Sequence, residues 1–249
     1  MSATDDDGGR TNHRRHFRPV SRRNAWILIG TGLLLFAATS MLVSAGATGW
    51  DGRMYRALNE VPSQVAAVLT PLSKVFLPVG ITVAIATAAI FCVVRIRSLW
   101  PILFCAGSAA VAWLGADLAK AVAERTRPFE VIAGAVLRQQ PAHGTSFPSS
   151  HTAVAFAVAL TLVPFLPRTG VVVALVYAIL VGWSRVYLGV HYPVDVVGGA
   201  GIGLAVGGCE LLLIRGGRGR TYRTSQDQLD GSDDHASTAT RCNPSGPIR

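Results

Sequence analysis

The chain has 249 residues, of which 50% are hydrophobic and only 15% are charged, and its mean hydropathy is positive. The apolar residues are gathered into long blocks, which indicates a multi-span membrane protein rather than a soluble globule. The formal net charge of +9 comes mostly from the two ends, and basic arms flanking membrane spans are explained by the positive-inside rule without invoking nucleic acid.

In chain order, residues 1–24 form a basic arm ending in "RTNHRRHFRPVSRRN". The first apolar block, 25–48, is too long for the core of a cleaved signal peptide and is followed by further blocks, so a retained signal anchor is expected. The next blocks with few charges are 75–94, 100–119, 150–166, 170–188 and 194–214, each near the ~17 to 25 residues that cross the hydrocarbon. The expected fold is therefore all-α, a six-helix transmembrane bundle over residues 25–214. Counted from Thr152 the fourth block falls short, so its helix is expected to begin at the serines, with Ser149, Ser150 and His151 at the interface. Residues 215–249 form a tail that begins with basic "RGGRGRTYR". From Thr221 the tail is polar and aperiodic and is expected to be disordered. Cys92, Cys105 and Cys209 fall in spans and Cys242 in the tail, without the spacing of a metal site or a disulfide framework.

Six spans place both arms, residues 95–97 and Arg168 on one side, which the rule makes cytoplasmic. The other side carries 51–74, 120–148 and 185–193. Those loops are also basic, which the rule does not favour outside, and their charge calls for another explanation. The chain's only lysines, Lys74 and Lys120, both belong to this side.

Three polar clusters lie there. In "KAVAERTRP", Lys120 and Arg127 are seven residues apart, nearly two helical turns, so a helix continuing through them would point both cations the same way. Pro128 discourages a helical Arg127 and marks the end. Two aligned cations suit an anion with several oxygens, although snorkelling to water serves such residues equally, and Glu124 or Asp117 is within reach of pairing with Lys120. In "PSSH", the start of the fourth span offers free N–H groups and the positive end of a helix dipole to an anion. Ser149 or Ser150 is suited to cap that helix, and His151 to deliver a proton near neutral pH. In "SRVYLGVHYPVD", Arg185 adds a cation whose planar fork matches phosphate oxygens. Pro193 suits the first turn of the last helix and brings Asp195 into that turn. From there the carboxylate can reach back to His191, fix its tautomer and stabilise its positive form, with the imidazole as candidate nucleophile; a polar N-cap pair is the structural alternative. Polar groups near membrane depth are costly. Three clusters on one face therefore read better as a joint site.

The order K-x6-R-P, P-S-x-H, S-R-x5-H-x3-D resembles the type 2 phosphatidic acid phosphatase superfamily of membrane lipid phosphatases, which shares its site with vanadium-dependent haloperoxidases. The motifs run from Lys120 to Asp195. The resemblance implies that Lys120, Arg127 and Arg185 hold phosphate oxygens, helped by Ser149 and the amides around Ser150. It implies that His191 attacks phosphorus to form a phosphohistidine, that Asp195 orients His191, and that His151 protonates the leaving oxygen and later assists water. No metal or other cofactor is implied. The family usually has glycine where Ser150 stands; a serine adds a hydroxyl and a Cβ that would either tighten or crowd phosphate binding.

By family analogy rather than by any residue here, the leading substrate is a polyprenyl diphosphate such as undecaprenyl diphosphate, with phosphatidic acid or phosphatidylglycerol phosphate next. The expected setting is the plasma membrane, with cytoplasmic termini and an extracytoplasmic site, and the expected partners are a lipid phosphate or diphosphate and the membrane lipids. Two rivals are a lipid phosphotransferase, in which an alcohol replaces water, and an anion or lipid transporter. A transporter would favour polar or broken helices at mid-membrane, whereas the clusters lie at span ends. The loop 129–147 is expected to contact lipid, to cover the site or merely to connect. His143 in it is expected to be exposed, and Glu210 to lie near the cytoplasmic interface.

Overall fold

A computed structural model describes residues 20–46, 49–76 and 100–239. The described residues form helices with no strand: α1 (Arg22–Ser44), α2 (Gly49–Asn59), α3 (Ser63–Phe76), α4 (Trp100–Ala123), α5 (Pro128–Val131), α6 (Ser150–Leu162), α7 (Arg168–Tyr187) and α8 (Pro193–Ala239). Four of them, α1, α4, α7 and the Pro193–Gly216 part of α8, are long and apolar enough to cross a membrane. The expected span at 75–94 falls, but for its first two residues, outside the described residues.

α6 is apolar but has only 13 residues, or about 20 Å of helix against a hydrocarbon core of about 30 Å. It starts at the serines as expected. It stops at Leu162 rather than reaching 166, because Pro164 has no N–H with which to extend the ladder. α7 and α8 begin and end within a few residues of the expected blocks at the site end. The α8 helix continues to Ala239, across residues from Thr221 where irregular chain was expected.

α6 is the centre of the bundle. It packs against α4, α7 and α8, and α8 also lies along α1. Its small residues Ala153, Ala155, Ala157 and Ala159 are buried and admit close neighbours. The closest approach is to α8, where a Cβ on Gly199 would lie 2.3 Å from the Ser149 carbonyl oxygen and one on Gly203 would lie 2.5 Å from that of Ala153. Only glycine fits such backbone-to-backbone contact. The outer faces carry exposed Leu33, Leu34, Leu114, Leu118, Val173 and Ile179. An apolar surface of this kind on long helices faces lipid.

The loop after α1 contains two helices that the sequence analysis did not anticipate. α2 buries Asp51, Tyr55 and Asn59, spaced by four residues and therefore on one face. All three bond to the end of α7, the turn that follows it, the start of α8 or the segment covering that turn. The Asn59 side chain donates to the carbonyls of Val136 and Tyr187, both at 3.0 Å, and accepts from the Val136 N–H at 2.9 Å. The Tyr55 hydroxyl approaches the Gly189 carbonyl at 3.5 Å. Asp51 accepts from the Val194 N–H at 3.0 Å. This polar face braces the connection that carries the third motif.

Candidate active site

The site forms where α4 ends, α6 starts, α7 ends and α8 starts. Cross-bonds tie these ends together: the Ser149 N–H donates to the Asp195 carbonyl at 3.0 Å, the Thr145 hydroxyl to the Lys120 carbonyl at 3.2 Å, and the Arg138 N–H to the Leu188 carbonyl at 3.1 Å. Residues far apart in the chain thus meet at one end of the bundle.

The first motif is not one continuous helix. Glu124 takes a left-handed conformation, φ 41, which ends α4 at Ala123. Arg127 is extended before Pro128, φ −79 and ψ 152, as a residue preceding proline should be. Helical periodicity therefore does not align Lys120 with Arg127. Lys120 pairs with Asp117 at 3.1 Å and donates to the Ser150 hydroxyl, which in turn donates to Asp117 at 3.1 Å. Of the two expected partners for Lys120, Asp117 is the one used and Glu124 is not. Arg127 is buried and its guanidinium donates to the carbonyls of Gly144 at 2.9 Å, Val190 at 2.9 Å, and His143 and Thr145 at 3.2 Å. It clamps the 143–145 segment to the residue preceding His191, and its charge reaches the site from within that clamp.

Ser149 stands at the N-cap of α6 but makes no side-chain cap bond; its hydroxyl accepts from that of Thr152 at 3.0 Å. Ser150 bonds to Lys120 and Asp117 instead of capping. The expectation that one of the two hydroxyls caps the helix therefore fails, and the first-turn amides stay available to another acceptor. His151 follows, its ring edge-on to Trp113 with centroids 5.6 Å apart.

In the third motif Arg185 is buried. It donates through one terminal nitrogen to the Gln139 side chain at 3.1 Å, while its Nε has no hydrogen-bond partner among the described residues. His191 is also buried, with Nδ1 3.4 Å from Asp195 Oδ2. That is ion-pair distance, but the pair lacks hydrogen-bond geometry. Burial drives the His191 imidazole down to about 4, against the opposing pull of Asp195, and the charges of Arg185 and Arg127 push the same way as burial. His191 is thus held neutral near pH 7, the state a nitrogen nucleophile needs. Pro193 opens α8 and Asp195 lies in its first turn, as expected, with Oδ2 accepting the Tyr192 N–H at 2.9 Å.

The segment expected to contact lipid, to cover the site or merely to connect folds over the α7–α8 turn. Arg138 donates to the carbonyls of Tyr187 and Asn59, and Gly189, at φ +89, lies so close that a Cβ would be 2.5 Å from the Val136 oxygen. His143 is exposed, as expected, and Glu210 is buried in α8 with its Oε2 unpartnered.

Residues 98–215, which hold all three motifs, match the PAP2 superfamily. Residues 98–215 form a PAP2 superfamily domain. The family resemblance carried by the motifs is thereby borne out, and with it the expectation of a membrane phosphatase. Among relatives of this PAP2 chain, an undecaprenyl-diphosphatase from Sulfolobus acidocaldarius is 28% identical over 70% of this chain and 83% of its own. Phosphatidylglycerophosphatase B from Bacillus subtilis is 46% identical over a shorter stretch, 24% of this chain and 34% of its own. The crystal structure of a transmembrane PAP2-type phosphatidylglycerolphosphate phosphatase from Bacillus subtilis covers 76% of this chain and 96% of its own, with a TM-score of 0.59 and 25% identity.

The PAP2 site also contains two charged residues that motif reasoning missed. Arg125, two residues before the motif arginine, donates to Asp195 Oδ1 at 2.6 Å and to Asp51 Oδ2 at 2.7 Å, with its guanidinium 4.0 Å from the centre of the Tyr192 ring. Asp51 comes from α2, outside the matched residues. Burial raises its carboxyl, and the bonds from Arg125 and the Val194 N–H oppose that rise. The Asp51, Tyr55, Asn59 spacing was the available signal for α2, hidden in a segment taken for a plain loop.

Proposed function

We propose that this PAP2 protein hydrolyses a lipid phosphate through a phosphohistidine on His191, with a polyprenyl diphosphate such as undecaprenyl diphosphate as the substrate and the monophosphate plus inorganic phosphate as products. The observation that carries the reading is the buried pairing of Arg185, whose Nε has no acceptor, with neutral His191 beside Asp195. A buried guanidinium N–H left unmatched is costly, and a phosphate oxygen is its natural complement.

In this mechanism Arg185, Lys120 and the first-turn amides of α6 hold the equatorial oxygens, where charge spreads in the transition state. His191 Nε2 attacks the terminal phosphorus, the bond to the bridging oxygen breaks, and His151 gives that oxygen its proton. Water then attacks the phosphohistidine, His151 takes the water's proton, and inorganic phosphate leaves with His191 restored. The bound phosphate dianion favours a protonated His151, and Asp195 stabilises the charge that appears on His191. Exposed apolar helix faces let the lipid tails remain in the bilayer while the head group reaches the bundle end. The six-span arrangement, cytoplasmic termini and an extracytoplasmic site in the plasma membrane belong to the same proposal.

The choice of a polyprenyl diphosphate is supported by the Sulfolobus relative, whose similarity extends over most of both chains, and phosphatidylglycerol phosphate by the shorter but closer Bacillus match and the solved structure. Phosphate release from polyprenyl diphosphates, phosphatidic acid, lysophosphatidic acid and phosphatidylglycerol phosphate in detergent micelles decides between them. The proposal expects kcat/KM to be highest for the polyprenyl diphosphate and unaffected by excess chelator. Comparable rates on all four would remove the preference for a dedicated polyprenyl enzyme, and product that depends on an added alcohol with little free phosphate would make it a transferase.

A further inference from the structure

Arg125 belongs to a chain of contacts that leads away from the reacting groups, from neutral His191 through Asp195 and Arg125 to Asp51. Its side chain is 9% exposed, and those of Asp51 and Asp195 are fully buried. The guanidinium is held from three sides, by the two carboxylates and by the Tyr192 ring against its face. Both its anionic partners are themselves fixed by main-chain N–H groups flanking Pro193, since Asp51 Oδ1 accepts from Val194 and Asp195 Oδ2 from Tyr192. Arg125 therefore occupies Asp195 Oδ1 and leaves Oδ2 as the oxygen that faces His191 Nδ1.

We propose that Arg125 and Asp51 are positioning residues for catalysis: Asp51, presented by α2, anchors Arg125, and Arg125 fixes the rotation and tempers the charge of Asp195 so that His191 is oriented and kept neutral. The inference rests on the assignment of His191 as nucleophile. An isolated buried carboxylate beside an imidazole stabilises its charged form; sharing that carboxylate with a guanidinium weakens the effect. The other groups facing His191 are Arg185 from α7, Arg127 from the segment before α5, and His151 from α6. None of these would be altered by changing Arg125. Neither Arg125 nor Asp51 is placed to touch phosphate, because the two carboxylates take the guanidinium's terminal nitrogens.

The test compares full-length wild type, Arg125→Met, Arg125→Lys and Asp51→Asn in micelles, following phosphate release against pH together with an NMR titration of His191, assigned by its loss in His191→Gln. Arg125→Met is expected to lower kcat about tenfold or more with KM within about twofold, and to move the His191 transition and the acid limb up by about one pH unit, the effect of one nearby charge. Arg125→Lys keeps the charge but cannot bridge two carboxylates as a fork does, so it should restore the pH profile and only part of kcat. Asp51→Asn should lower kcat without an upward shift, because it removes negative charge. A raised KM with unchanged kcat would place Arg125 on the substrate and overturn the proposal. An unmoved His191 titration in folded Arg125→Met would do the same. Should Arg125→Met fail to fold, an upward shift in Asp51→Asn, or a pH profile in Arg125→Lys displaced as far as one unit, overturns it. The titration is read without turnover, so loss of the phosphatase assignment and loss of the clamp are separate results.

Discussion

At the residue scale the site is defined by what is left unpaired. Among the described residues, buried Arg185 bonds Gln139 and keeps a bare Nε, an arrangement that lowers stability and that the proposed function explains by a bound phosphate. Arg185→Met is expected to leave the thermal midpoint unchanged or raised while cutting kcat about a hundredfold or more, the usual effect of deleting one preorganised donor. A drop in both would mean that the residue is structural. Lys120 is the opposite case, paired to half-exposed Asp117. Such a pair is worth under about 1 kcal/mol, so Asp117→Asn should free the ammonium and tighten inhibition by inorganic phosphate, by no more than about fivefold. His191, held at about 4 in the fold, ordinarily titrates near 6.5. Between those values the unfolded chain binds a proton that the folded chain refuses, so stability falls as pH drops through that window. The thermal midpoint should decline from pH 7 to pH 5, less steeply in His191→Gln. On the activity side, kcat/KM should hold down to about pH 4 on the acid limb.

At the element scale the site depends on how closely α8 can approach the start of α6. Gly199→Ala drives a methyl toward the Ser149 carbonyl, so it is expected to cost about 1 to 3 kcal/mol by overpacking and to displace the first-turn amides of α6, which the proposed mechanism assigns to phosphate. The checks are the thermal midpoint and kcat together. The sequence showed the long apolar helices and the starts of α6 and α8, because hydropathy and the Pro193 position are local signals. It also made plain that Lys120, Ser149, His151, Arg185, His191 and Asp195 share one end of the bundle. Not legible was the break at Glu124, which a helix-compatible composition conceals, nor the use of Arg127 as a main-chain clamp, since carbonyl partners leave no sequence pattern. Arg125 and Asp51 escaped for a related reason: their partnership joins α2 to the first motif across more than seventy residues of chain.

At the scale of the whole molecule, the apolar flanks and the bundle end carrying the polar groups describe a membrane phosphatase with a PAP2 superfamily domain. Its proposed orientation can be read with an impermeant thiol reagent. A cysteine replacing exposed His143 should label in intact cells, and Cys242, in the tail, only after permeabilisation; the reverse would invert the topology. The central claim, that His191 carries the phosphoryl group, is tested most directly by trapping. The protein is mixed with a polyprenyl diphosphate radiolabelled in its terminal phosphate and quenched in alkali, where phosphohistidine survives. The predicted result is acid-labile label on the peptide containing His191, chased into inorganic phosphate and missing from His191→Ala. Full phosphate release by His191→Ala would contradict the account.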